Sequence, residues 1–60
     1  MWQSPLKQLP VNNQVVWIRV LGIYGEIAIA QFNLSTQEFT VSLSGLVIPA
    51  YMVSRWKPYP

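Results

Sequence analysis

The chain has 60 residues, 52% hydrophobic and only 10% charged, with four Lys and Arg against two Glu for a net charge of +2. It contains no Cys, His or Asp, which excludes disulfides, the common structural zinc sites, Ser-His-Asp and Cys-His nucleophiles, and acid–base dyads built on Asp. A chain this short buries only about 60% of the surface that its unfolded form exposes, so a single domain over residues 1–60 is expected to need a dense core or self-association.

From Trp2 to Asn13 the chain carries Pro5 and Pro10 and ends in Asn12-Asn13, a pattern of an extended arm with turns. Gln14 to Leu21 is rich in β-branched and aromatic residues with no helix cap ahead of it, and reads as the first strand. Gly22-Ile23-Tyr24-Gly25 supplies a turn, and Glu26 to Phe32 returns as the second strand. After a turn at Asn33–Gln37, Glu38 to Leu43 alternates strictly between polar and apolar residues, the clearest strand pattern in the chain. Ser44-Gly45 breaks it. Leu46-Val47-Ile48 is a short apolar run stopped by Pro49, with one short helical turn allowed near residues 47–52. A final strand is expected around Met52 to Trp56, and Pro58-Tyr59-Pro60 closes the chain extended. The fold class is therefore all-β: an antiparallel meander of three or four strands curling toward a small barrel.

No run of about 18 apolar residues is available to span a bilayer, and the stretch from Ile27 to Gln37 is broken by Gln31, Asn33 and Ser35-Thr36. Met1-Trp2-Gln3-Ser4-Pro5 lacks the basic start and apolar block of a signal peptide. A cytoplasmic protein without membrane contact is expected.

Strand parity carries the functional reading. Arg19 prefers solvent, so Val16, Ile18 and Val20 should face inward and Val15, Trp17 and Leu21 outward. In the second strand Glu26, Ala28, Ala30 and Phe32 share one face, and Ile27 and Ile29 take the other. The third strand sets Thr40, Ser42 and Ser44 against Phe39, Val41 and Leu43, a single wet face. The first hairpin is thus apolar on both sides, and its second face needs a cover. That cover is either the terminal arms with Trp2 and Trp56, or a partner.

Little in the chain points to catalysis, to a cofactor or to a metal. Glu26 and Glu38 read better as solvated surface carboxylates than as a glycosidase pair. Gly22–Gly25 lacks the Lys and Ser/Thr of a phosphate-binding loop. Asn33-Leu34-Ser35 fits a glycosylation sequon but reads as a turn. Arg55, Trp56, Lys57 and Tyr59 put cations beside aromatics, a combination that suits single-stranded nucleic acid. The competing reading puts Trp56 in the core, with Arg55 and Lys57 on the solvated side.

The terminal motifs resemble those of a small, functionally uncharacterised domain family of bacteriophages and prophages. That family opens with Trp, six residues and Leu-Pro, here Trp2 with Leu9-Pro10. It continues into a Val-Leu-Val strand, here Val15-Val16-Trp17-Ile18, and carries Ala-x-aromatic near the middle, here Ala30-Gln31-Phe32. It ends in Val-Thr-His-Trp-x-Pro-Leu-Pro, here Val53-Ser54-Arg55-Trp56-Lys57-Pro58-Tyr59-Pro60. The resemblance implies a phage or prophage origin and a short sheet whose terminal Trp-Pro motifs pack together. Arg55 departs from it, since the family usually has His there; a role that needs that His is not shared by this chain.

The expectation is a non-enzymatic phage-type accessory protein that binds itself or a host or defence protein. Its partner-binding residues are Val15, Trp17, Leu21, Ile27 and Ile29. A structural virion or assembly subunit is one alternative. Single-stranded nucleic-acid binding through Arg55, Trp56, Lys57 and Tyr59 is another.

Overall fold

The computed structural model describes residues 1–22 and 27–60. Ile23, Tyr24, Gly25 and Glu26 lie outside them, so most of the expected first turn and the expected start of the second strand are not part of this description.

The fold is all-β. Its strands are β1 (Val15–Val20), β2 (Ile27–Asn33), β3 (Glu38–Val41), β4 (Val47–Pro49) and β5 (Val53–Pro58), with a single 3₁₀ turn at Ala50–Met52 between the last two. They form one antiparallel sheet in the order β4-β3-β2-β1-β5. The chain runs as a meander from β1 to β4, and β5 then returns to the far side of β1.

Three expectations change. There are five strands, because Val47-Ile48-Pro49 pairs with Thr40-Phe39-Glu38 and so becomes a strand in its own right. The third strand ends at Val41, two residues before the alternation stops: Gly45, at φ 72°, donates its N–H to the Val41 carbonyl at 2.8 Å, closing a turn with Leu43 at its fully exposed tip. The sheet curls but stays open, with β4 and β5 as its two edges. Principal extents of 27 × 24 × 22 Å are those of a curled sheet, not a flat one.

The inner face follows the expected parity. Val16 and Ile18 of β1, Ala30 and Phe32 of β2, Phe39 of β3, and Val53 and Trp56 of β5 form the buried core. The Phe32 and Phe39 rings lie 4.8 Å apart at 49°, a tilted contact that adds to their burial. Leu9, Val20, Ala28, Ile48 and Ala50 pack around this cluster, and Pro10 is buried. A single sheet cannot enclose its own core, and the N-terminal arm supplies the missing lid.

That arm is fastened by the end of the chain. Gln3 and Trp56 exchange both backbone hydrogen bonds, at 2.7 and 2.9 Å, extending the sheet by one antiparallel bridge beyond β5. The Trp56 indole Nε1 donates to the Gln8 carbonyl at 2.8 Å. The two terminal Trp segments therefore pack together. Asn12 secures the arm's other end by accepting from the Leu34 N–H through its side-chain oxygen.

Candidate binding face

The side of the sheet turned away from the core is built from alternate residues of each strand. Along β1 these are Val15, Trp17 and Arg19; along β2, Ile27, Ile29 and Gln31; along β5, Arg55 and Lys57. Antiparallel register sorts them into rows. Lys57, Trp17 and Ile29 stand side by side across β5, β1 and β2, and Arg55, Arg19 and Ile27 form the next row. On the other side of the tryptophan row, Val15 pairs with Gln31, and Gln31 with Thr40. Neighbouring strands are about 4.8 Å apart and successive rows about 6.8 Å, so the whole set falls within reach of one extended ligand.

Both chain ends add aromatic rings to this face. The Gln3–Trp56 bridge places Trp2 beside Lys57, whose Nζ lies 4.9 Å from the centre of the Trp2 ring, a cation–π distance. Tyr59 donates its N–H to the Val15 carbonyl and sets its ring 5.2 Å from that of Trp17 at 64°, an edge-to-face contact. The second apolar face of the first hairpin is therefore flanked by Trp2 and Tyr59. Trp17 and Ile29 are half-buried, while Val15 and Ile27 stay exposed.

Arg19 and Arg55 are directly opposite one another. Like charges in such a pair repel and cost stability, and among the described residues the Arg55 guanidinium donates a local hydrogen bond to the Ser54 carbonyl at 2.7 Å. Among the described residues the one side-chain carboxylate, Glu38, is half-buried at the start of β3 and lines a groove that Arg55 also lines. Three cations and three aromatic rings thus share the outer face, with Arg55 at the margin where that face meets the groove holding Glu38.

No family model, curated protein or solved structure matches this chain.

The expected site residues separate as follows. Val15, Trp17, Ile27 and Ile29 do meet on one surface. Leu21 does not join them: β1 ends at Val20 beside a register shift opposite Ser54, the Leu21 N–H donates to the Met52 carbonyl, and its side chain lines the groove. Parity lapses where the strand ends. Of the cation–aromatic set, Arg55, Lys57 and Tyr59 reach the outer face, whereas Trp56 is 3% exposed in the core with its indole N–H already bonded. It offers no ring to a base. Arg19 and Trp2 complete the face, and neither stood among the expected site residues. Arg19 was legible as the solvent-facing cation of β1. Trp2 was legible as part of the terminal cover of this face, though its place beside Lys57 depends on a bridge between opposite ends of the chain, whereas Trp56, the other expected part of that cover, lies in the core on the opposite side of the sheet.

An open groove of about 820 Å³ runs between the arm and the 3₁₀ turn, lined by Leu6 and Leu9, Glu38, Tyr51 and Val53, and it reaches the outer face at Arg55, which also lines it. Among the described residues no group of three metal-ligating side chains occurs, and no helix is long and apolar enough to cross a membrane.

Proposed function

We propose that this chain is a non-catalytic binding module that presents the outer face of its sheet to an anionic macromolecule. The observation that carries this reading is the gathering of Arg19, Arg55 and Lys57 on the same surface as Trp2, Trp17 and Tyr59. The two surfaces read separately from the sequence, an apolar hairpin face and a C-terminal cation–aromatic cluster, are one surface. A sequence without His, Cys or Asp supports binding over catalysis, and the likeness of its terminal motifs to those of a phage family supports an accessory role in an infected cell.

Self-association through the same face is the second reading, favoured by the exposure of Val15 and Ile27. A two-fold contact sets the same patch of both copies face to face. It brings the cations of both copies together, which like-charge repulsion opposes.

Retention on a heparin column tests the proposal, with heparin as a generic polyanion. The wild-type protein is expected to be retained at low salt, and the double variant Arg19→Glu/Lys57→Glu to flow through with an unchanged far-UV spectrum. Equal elution of the two proteins would sink the reading. Light scattering on the same samples decides between a monomer and a self-associated form.

A further inference from the structure

We infer that the ligand of this face is single-stranded nucleic acid, with bases stacked on Trp17 and Tyr59 and phosphates taken by Arg19, Arg55 and Lys57. This rests on the outer-face reading above and names its partner. An acidic protein surface would need only the cations. The rings are the additional observation: Trp17 is half-buried and Tyr59 stays 43% exposed beside it, so the surface offers aromatic area to flat groups next to three positive charges. Every base has a π-face, and stacking on aromatic side chains beside a basic surface is how sequence-tolerant single-strand binders work.

The geometry favours a strand over a duplex. Trp2 on the arm, Lys57 on β5 and Trp17 on β1 follow one another across the sheet, and Tyr59, just past the end of β5, sets its ring against Trp17. Three rings on one sheet face match the two or three bases that sheet-based RNA-binding domains stack. A duplex hides its base faces in its own stack and would meet only the cations. Gln31 and Thr40, adjacent on β2 and β3, extend the surface with exposed polar groups: the Gln31 Nε2 donates to the Asn13 carbonyl at 3.2 Å, which leaves its Oε1 and the Thr40 hydroxyl for base edges.

Fluorescence anisotropy of a labelled oligodeoxythymidylate of about 12 nucleotides, within the site sizes such surfaces occupy, tests the inference; an oligouridylate arm compares RNA with DNA. Three phosphate contacts predict a slope of log K against log salt of roughly −2, or about a 15-fold loss of affinity between about 50 and 200 mM salt. Trp17→Leu keeps an apolar side chain and is expected to weaken binding about tenfold, with little change in salt slope. Arg19→Gln/Arg55→Gln/Lys57→Gln should flatten the slope toward zero.

Binding that is as tight to duplex as to single strand, or that is indifferent to Trp17→Leu, would show attraction by charge alone and overturn the inference. Absence of any binding at low salt overturns it outright. If heparin retention still depends on Arg19 and Lys57 in that case, the outer-face reading stands and only the nucleic acid falls. If that dependence is also missing, both fall.

Discussion

The indole N–H of Trp56 is bonded to the carbonyl of Gln8, at 2.8 Å, across 48 positions of sequence. One side chain thereby fills the core, closes the N-terminal lid and satisfies its own polar atom, with Gln3 paired to its backbone as well. Trp56→Phe removes the hydrogen bond and part of the ring. The expected cost is about 1–3 kcal/mol, the bond contributing about 1 kcal/mol of it. Trp56→Ala, at about 3–5 kcal/mol, is expected to unfold a domain of this size. Urea denaturation of both variants gives the measurement.

Ile29 and Ala30 are adjacent in sequence and face opposite sides of β2. Ile29→Lys places its charge on the outer face, where a long stem lies along the sheet and the ammonium reaches water; a change under about 1 kcal/mol is expected. Ala30→Lys buries a cation at a fully enclosed position, costs several kcal/mol, and should leave the chain unfolded. Circular dichroism separates the two, and comparable stability of both variants would refute the register.

The Arg19–Arg55 pair predicts a variant that is more stable and binds less well. Arg55→Glu replaces repulsion by attraction directly across β1 and β5, a gain of about 0.2–1 kcal/mol. Because the side chains are exposed, the gain should shrink with added salt. The same change removes one cation of the binding face. Thermal melts at low and high salt should show the stabilisation, and heparin elution at lower salt the loss of anion affinity.

Gln37 and Gly45 make a pair of opposite backbone tests. Gln37 holds a left-handed φ of 54°, which strains a side-chain-bearing residue. Gln37→Gly is expected to stabilise by about 0.5–1 kcal/mol, the relief of strain exceeding glycine's entropic cost. Gly45 sits at φ 72° with open space where a Cβ would go, so Gly45→Ala should cost about 1 kcal/mol through conformation alone. Chemical denaturation of each variant reads the sign directly.

The face assignment of β1 and β2 was legible in the sequence. A strand has period two, and one solvent-seeking cation, Arg19, sets the parity of its neighbours. Val16 and Ile18 are buried, and Val15 and Arg19 exposed, as that rule requires. The same local logic separated Trp56 from Arg55 and Lys57 in β5. It went astray where a local pattern outlasts the pairing that supports it. Leu43 continues the alternation of β3 yet stands fully exposed at the tip of a turn, and Leu21 leaves the outer face once β1 has ended.

By itself, then, the sequence determined the all-β character, the inward and outward sets of the first hairpin, and a chemistry without His, Cys or Asp. These are local properties: alternation, turn residues and composition. Only the tertiary structure decided that β5 lies beside β1, that Gln3 bridges to Trp56, and that Trp2, Trp17 and Tyr59 share a face with Arg19, Arg55 and Lys57. Those relationships join residues up to the length of the chain apart. Their register is set by which packing buries Trp56 and Phe39 together under the N-terminal arm, a quantity that no window of local sequence contains.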